Sequence, residues 1–314
     1  MTKKKYLVTG GAGFIGSHIV ERLLKEGNFV RVLDNFSSGK KSNLPASSVN
    51  FELIKGDICD LKTCLRACKG MDYVIHQAAL RSVPKSLVNP YEYNKVNIDG
   101  TLNMLKSAHE SGVKRFVFAS SSSVYGDAKK FPEKETDIPL LISPYALSKL
   151  AGEYYCRIFS EIYGLETVSL RYFNVFGPRQ ALDDQYAVVI PKFISSMIKD
   201  ECPPIFGNGK QSRDFTYVDN VVEANLRAAT TSRIKCEVLN VANGNTVSIL
   251  DLVAALNRIL GKKIKPKLLP IRKGDVFKTL ADISTLKRKI GYSTKVDFFE
   301  GLKRTVEYFK NVIS

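Results

Sequence analysis

The sequence predicts an α/β fold: a doubly wound parallel sheet with helices on both faces and a smaller C-terminal α/β lobe. Three observations predict it. Short apolar runs alternate with amphipathic stretches through the first half, a glycine-rich turn joins the first run to the first amphipathic stretch, and the rhythm changes after about Phe176. Strands alternating with helices require right-handed crossovers, which cover both faces of a parallel sheet.

The elements follow in order. Residues 6–9, 29–33, 51–55, 73–76, 116–120 and 167–170 read as strands, each short and bounded by glycine or polar residues. Between them, 15–25, 97–111 and 145–163 carry the apolar spacing of helices. Prolines at 178, 191, 203 and 204 then interrupt the pattern, and Gly207-Asn208-Gly209 marks a turn. Residues 215–218 and 237–241 are expected to return to the large sheet. Helices near 249–259 and 298–309 are expected to build the smaller lobe. The expected division is therefore 1–176 with strands returning from about 214–242, and a discontinuous lobe over 177–314.

Composition bounds the function. A chain of 314 residues holds one large domain or two interlocked ones, and 44% hydrophobic with 25% charged residues suits a soluble globular protein. No apolar run approaches the roughly 18 residues of a membrane span. Only Tyr6-Leu7-Val8 follows the basic N-terminus before the glycines, too little for a signal peptide, so a cytoplasmic location is expected. The six cysteines form no Cys-x-x-Cys and the three histidines stand apart from them, which favours reduced thiols and no metal site. The net charge of +16 is spread along the chain without a nucleic-acid motif. A solvated basic surface is expected, with no nucleic-acid or membrane partner, and it would attract phosphate-bearing substrates.

The first strand runs into Thr9-Gly10-Gly11-Ala12-Gly13-Phe14-Ile15-Gly16. Glycines at 10, 13 and 16 supply what a pyrophosphate needs: a tight turn, bare backbone, and close helix–sheet contact. The following helix offers free N–H groups and the positive end of its dipole. Asp34 closes the second strand, 18 residues after Gly16. A carboxylate there accepts from an adenosine ribose and repels a 2′-phosphate, which favours NAD over NADP.

Tyr145-Ala146-Leu147-Ser148-Lys149 sets a phenol and an ammonium one helical turn apart on one face. The lysine charge is expected to lower the tyrosine pKa, so that the phenol takes a proton from an alcohol near neutral pH. Pro144 suits a helix start. Upstream, Ser120-Ser121-Ser122-Ser123-Val124-Tyr125-Gly126 ends a strand with neutral hydroxyls, where ligands bind in open α/β sheets.

These motifs, with Gly56-Asp57-Ile58, His76-Gln77-Ala78-Ala79, Asn97-Ile98-Asp99-Gly100-Thr101, Arg171 to Arg179 and Arg213-Asp214-Phe215, resemble the extended short-chain dehydrogenase/reductases over essentially the whole chain. Within that family the chain is most similar to nucleotide-sugar 4-epimerases, especially those accepting UDP-N-acetylglucosamine. The closer likeness lies in residues 76–86 and 186–192. The resemblance implies a Rossmann-type NAD domain and a UDP-sugar lobe. It implies Gly10, Gly13, Phe14, Ile15 and Gly16 at the pyrophosphate, Asp34 and Asn35 at the adenosine ribose, and Asp57 and Ile58 at the adenine. Gln77, Ala78, Ala79 and Asn97 would line the way to the nicotinamide. Tyr145 would be the base, Lys149 its partner and Ser121 the catalytic hydroxyl. On the substrate side it implies Ser82, Ser122, Ser123, Val189 and Thr279 around the sugar. Asn174, Phe206, Arg213, Arg272 and Asp275 would hold the UDP moiety, the two guanidinium groups suiting a diphosphate.

The reaction so implied is epimerisation at C4 through a transient 4-keto sugar. Dehydratases and decarboxylases of the family carry an acidic residue beside the catalytic hydroxyl, where this chain has Ser122 and Ser123, and a neutral serine is a poor base for elimination. A non-catalytic NAD sensor is the rival of another class, disfavoured because Tyr145, Lys149 and Ser121 all stand in place. Thr279 falls where a large tyrosine excludes N-acetyl sugars in narrower relatives. Arg81 departs from the small residue expected before Ser82. Family habit implies a homodimer through helices around 97–111 and 145–163.

Overall fold

Apolar runs too short for helices and glycine-bounded at their ends become the strands of one central sheet. The computed structural model describes residues 3–46, 48–182, 189–232, 234–270 and 276–313. The first half builds β1 (Lys5–Thr9), α1 (Phe14–Lys25), β2 (Phe29–Asp34), β3 (Phe51–Lys55), α2 (Leu61–Cys68), β4 (Tyr73–His76), α3 (Val83–Val88) and α4 (Pro90–Tyr93). A π-helical turn over Asn94–Asp99 leads into α5 (Gly100–Glu110), β5 (Arg115–Ser121), α6 (Pro144–Tyr163) and β6 (Glu166–Tyr172). The second half adds β7 (Val175–Phe176), α7 (Val189–Ile198), β8 (Pro204–Phe206), β9 (Ser212–Arg213), β10 (Thr216–Tyr217), α8 (Val218–Thr230) and β11 (Cys236–Val241). It ends with β12 (Val247–Ser248), α9 (Ile249–Leu260), β13 (Lys267–Leu269), α10 (Ser284–Ile290) and α11 (Phe298–Ile313).

Seven strands form the central sheet in the order β11-β6-β5-β4-β1-β2-β3. Every ladder in it is parallel. Side-chain alternation splits its core in two. Tyr6, Val8, Val30, Val32, Ile75 and Val117 face one side and pack with α1 and α8 residues such as Ile19, Leu23, Val221 and Ala228. Leu7, Leu33, Val74, Phe116 and Phe118 face the other, against Cys64 of α2, Met104 and Leu105 of α5, and Cys156 and Phe159 of α6. Both faces are covered, which explains why the strands read as nearly continuous apolar runs.

The chain order reverses between β1 and β4, and ligands of such sheets bind above the carboxyl ends at that switch point. The loops after β1, β4 and β5 converge there. Residues 237–241 do join the sheet, as its edge strand beside β6. Residues 215–218 do not. Thr216–Tyr217 pairs instead with Val175–Phe176 in a separate two-stranded sheet. Asn174, held at φ +36, turns the chain out of the line of β6, and β11 already occupies that edge. All six cysteines are free thiols. Among the described residues no helix is long and apolar enough to cross a membrane, and no group of three or more His, Cys, Asp or Glu side chains is placed to hold a metal ion.

Candidate active site

The glycine loop is built by exclusion. Gly10 has φ +66, and a Cβ there would stand 2.8 Å from the Ala78 amide nitrogen. A Cβ on Gly16 would lie 2.2 Å from the Gly10 carbonyl oxygen, so only glycine lets α1 approach the loop. Gly13 is different: its added Cβ would meet nothing closer than the Gly10 oxygen at 3.2 Å. Gly13 is extended, no side chain caps the helix start, and its first turn carries no acidic residue. The N–H groups of that turn, with Phe14 and Ile15 in it, stay available to an anion. The loop therefore fits a dinucleotide pyrophosphate.

Asp34 ends β2 with its side chain turned back to this loop. It is 7% exposed, and its oxygens accept from Ala12 N at 2.9 Å and Phe36 N at 2.8 Å. Each oxygen keeps a lone pair for a ribose hydroxyl. Asn35 donates to Asp57 at 2.9 Å, which joins the two residues expected at ribose and base. Ile58 turns into the core, where it packs under Gly100, so its side chain is not free to lie along an adenine.

The segment after β4 is fixed by a buried histidine. His76 is 1% exposed, with Nδ1 2.7 Å from Thr9 Oγ1 and Nε2 3.1 Å from Thr101 Oγ1. Thr101 spends its only hydroxyl proton on the Asn97 carbonyl at 2.6 Å, so it accepts from Nε2–H. Nδ1 then accepts from Thr9, whose oxygen in turn accepts from Ala78 N at 3.2 Å. Burial pushes the His76 pKa down to about 3, with the Lys149 charge adding to the fall, so the ring is neutral in this one tautomer. Gln77 donates to Tyr172 Oη at 2.9 Å and Asn225 Oδ1 at 3.2 Å, which leaves its own oxygen for a ligand. Asn97 clamps Leu80, accepting from its N–H at 2.8 Å and donating to its carbonyl at 3.0 Å. Its side chain is committed to the loop rather than open to the cleft. Ala79 lies between these two anchored points.

The phenol, amine and hydroxyl come together where α6 leans on the end of β5. Ser143 caps the helix by accepting from Ala146 N at 3.1 Å, and Pro144 takes the first position, where its missing N–H costs nothing. Gly152 faces Phe118, and a Cβ there would stand 2.4 Å from the ring. That absence lets helix and strand close up. Tyr145 hydrogen-bonds Ser121, and Lys149 Nζ donates to the Ala119 carbonyl at 2.7 Å. Lys149 is 5% exposed; burial pushes its pKa down to about 8, with the Glu153 charge opposing. Tyr145 departs from expectation. Burial raises its pKa, and the Ser121 hydrogen bond and the Arg81 charge only partly oppose that rise. A buried phenol loses more hydration on ionising than these neighbours return.

The serines divide. Ser120 is buried and donates to Glu153, so it faces away from the cleft, while Ser121, Ser122 and Ser123 are half-buried at its edge. Ser121 Oγ also accepts from Ser123 N at 3.1 Å. Ser82, at φ +99, caps α3 by accepting from Lys85 N at 3.3 Å. Asn174 donates to Thr279 Oγ1 at 2.9 Å, and the same oxygen accepts from Asp214 N at 3.2 Å, so both of its lone pairs are taken. Arg213 lies on β9 and donates to the Phe277 carbonyl at 3.2 Å. Val189 opens α7. Phe206 lines an apolar pocket of about 380 Å³ with Leu268, Leu269, Pro270, Val276 and Phe277. Arg272 and Asp275 lie outside the described residues. A wider groove of about 590 Å³ along α6, lined by Glu135, Leu150, Arg157 and Val238 among others, holds none of the predicted site residues.

Glu153 and Arg171 are what sequence reasoning missed. Glu153 sits one turn beyond Lys149 on the same buried face of α6 and is paired with Arg171 through Nε at 2.9 Å and Nη2 at 2.8 Å. The signal was a third polar residue continuing the spacing 145, 149, 153 on an otherwise buried face.

Comparison with known proteins bears on the whole chain. Residues 6–242 match the model of the NAD dependent epimerase/dehydratase family. The UDP-N-acetylglucosamine 4-epimerase of Methanobrevibacter ruminantium M1, solved with UDP-N-acetylmuramic acid, superposes with a TM-score of 0.95 at 44% identity, covering 99% of this chain and 100% of that one. The UDP-glucose 4-epimerase of Thermotoga maritima, solved with UDP-glucose, gives 0.93 at 41% identity over 99% and 100%. A UDP-glucuronate 4-epimerase of Thermodesulfobacterium geofontis is 38% identical over 321 residues, covering 98% of this chain and 97% of the relative. The chain is a member of the NAD dependent epimerase/dehydratase family.

Proposed function

We propose that this protein is an NAD-dependent UDP-sugar 4-epimerase. It inverts C4 of UDP-N-acetylglucosamine and UDP-N-acetylgalactosamine, and of UDP-glucose and UDP-galactose, through a transient 4-keto sugar. The observation that carries the reading is the set of Tyr145, Lys149 and Ser121 at the crevice mouth, beside the glycine loop, with no acid at 122 or 123. NAD, when bound, supplies a reversible two-electron oxidant.

The chain's own residues do the rest. Gly10, Gly13, Gly16 and the first turn of α1 hold the pyrophosphate, Asp34 and Asn35 the adenosine ribose, and Asp57 the base. Tyr145 takes the proton of the C4 hydroxyl and returns it to the C4 oxygen after the flat sugar has presented its opposite face. Ser121 donates to the C4 oxygen, and the charges of Arg81 and of Lys149, whose Nζ stands 6.0 Å from the Tyr145 ring centroid, favour the phenolate against the burial that opposes it. Arg213, Asn174 and Phe206 anchor the UDP group from the second lobe, with Arg272 and Asp275 assigned to the same task. Firm anchoring of the nucleotide and loose contacts to the sugar let the flat intermediate turn over in place. Ser122 and Ser123 supply no carboxylate for elimination or decarboxylation, which disfavours those reactions of the family.

We assign Thr279 a role through its size, its oxygen already accepting from Asn174 and Asp214 N. A short side chain there leaves room for an acetamido group. Thr279→Tyr is expected to lower kcat/KM for UDP-N-acetylglucosamine at least tenfold relative to UDP-glucose; an unchanged ratio contradicts the assignment. The protein is further assigned to the cytoplasm and to a homodimer built on α5 and α6. The reading is tested by incubating purified protein separately with UDP-glucose and UDP-N-acetylglucosamine and following C4 by NMR. Interconversion supports it, and turnover to a 4-keto-6-deoxy product, or no change at C4 of either sugar, overturns it.

A further inference from the structure

The contact between α6 and the end of β5 contains one more member than the reaction has used. Three helix residues spaced by four meet three consecutive strand residues: Tyr145 bonds Ser121, Lys149 bonds the Ala119 carbonyl, and Glu153 accepts from Ser120. The spacing puts all three on one helix face. Glu153 is 6% exposed and holds three donors, the Ser120 hydroxyl and two nitrogens of Arg171. Arg171 is as buried and lies over the Tyr125 ring, 4.8 Å from its centroid.

We propose that Glu153, paired with Arg171, is a positioning residue of the proposed epimerase site: it holds Ser120 so that Ser121 meets Tyr145, and its charge keeps Lys149 protonated beside that phenol. The role rests on the functional reading above, because only proton transfer at Tyr145 makes the charge of Lys149 matter. A buried ion pair contributes little net stability over an apolar replacement. The carboxylate of this pair sits one turn from a desolvated ammonium on the same buried helix face, and that gives the pair a second effect.

The charged and titratable groups around Lys149 are few. Tyr145 and Glu153 flank it on α6, His76 stands at the end of β4, and Arg171 lies behind Glu153 on β6. Arg81, in the segment after β4, acts on Tyr145. His76 is neutral, so it brings no charge. Glu153 is the one anion among them once Tyr145 is protonated. Burial drives the Lys149 proton off, and Glu153 is the group that resists it. Replacing Glu153 by glutamine keeps an acceptor for Ser120, deletes the charge and leaves Arg171 as a second, unpaired cation. Both changes make Lys149 lose its proton more easily.

The test uses the full-length protein labelled with ε-¹³C lysine, with the Lys149 signal assigned through Lys149→Arg. Titration of that signal is followed in wild type, Glu153→Gln, Glu153→Asp and the double variant Glu153→Gln/Arg171→Met, beside pH profiles of kcat/KM. In Glu153→Gln the Lys149 midpoint and the basic limb of the profile are expected to move down by about one pH unit, so that activity on that limb falls about tenfold. Glu153→Asp keeps the charge and is expected to stay near wild type. The double variant removes both charges and is expected to move back toward it. If Lys149 titrates in Glu153→Gln as in wild type, or if the double variant stays with the single one, the proposal is overturned. If the titration shifts as described but wild type turns over no UDP-hexose, the functional reading fails and the pairing stands.

Discussion

Tyr145 is held in an environment that raises its pKa, although it is the proposed base. Taking a proton from the C4 hydroxyl therefore depends on hydrogen bonding from Ser121 and on positive charge brought into the crevice. Tyr145→Phe keeps the ring's packing against Tyr93, whose centroid is 6.3 Å away, and removes the hydroxyl. We expect kcat to fall at least 100-fold with bound NAD unchanged; a variant with wild-type turnover contradicts the assignment of the base. His76 makes a different prediction. Its folded pKa of about 3 lies below its unfolded value, so the unfolded chain binds more protons between about pH 3 and 6.5, and stability from this group is lost as pH falls through that window. Asp214 and Glu133, raised by burial to about 7, work in the opposite direction between about pH 4 and 7. The readout is thus the difference in Tm between wild type and His76→Gln as a function of pH: between about pH 3 and 6.5 the variant should gain less Tm per pH unit than wild type. An identical slope would show that the fold does not depress the pKa of His76. Tyr145 and Lys149 were legible because their spacing defines a helix face. The pKa direction of Tyr145 was not, because burial depends on tertiary packing that no local pattern contains.

Between α6 and β5, register matters more than residue identity. Gly152 is the contact point, and Gly152→Ala would push its Cβ into Phe118 at 2.4 Å. Overpacking of this kind costs about 1–3 kcal/mol. Because the helix must shift, we expect a loss of activity larger than the loss of stability accounts for, measured as kcat against Tm. Equal activity with a lowered Tm would show that the helix–strand register is not what assembles the site. The seven strands of the central sheet were readable to within two residues, since short apolar runs between glycines have few alternatives, whereas the two- and three-residue strands β7, β8, β9, β12 and β13 carry too little pattern to be read. The return of 215–218 to the sheet was misjudged because a two-residue strand carries no sign of its partner. Only Asn174, which turns the chain away after β6, decides it. Helix α8 went unnoticed for a related reason. Its buried face includes Asn220, Glu223 and Asn225, polar residues that interrupt the apolar period yet find partners inside.

The assembled chain leaves an apolar stripe uncovered. Leu147, Tyr154, Ile158 and Ile162 are exposed along α6, and Val88 and Tyr91 are exposed in α3 and α4. An exposed stripe of large apolar side chains on one helix marks an interaction surface, and a second copy related by a two-fold axis would bury it symmetrically. Ile158→Glu is expected to convert the proposed dimer to monomer in light scattering after size exclusion. A wild-type protein that is already monomeric at the same concentration contradicts the assembly. The sequence held this surface only as family habit, because exposure along a helix cannot be told from burial by spacing alone. The most direct measurement of the central claim is NMR of UDP-N-acetylglucosamine carrying deuterium at C4, incubated with purified protein and no added reductant. The account predicts UDP-N-acetylgalactosamine that retains deuterium at C4, formed until the same mixture is reached from either epimer. Product with deuterium lost from C4, or a folded NAD-bound protein that leaves both epimers unchanged, would contradict it.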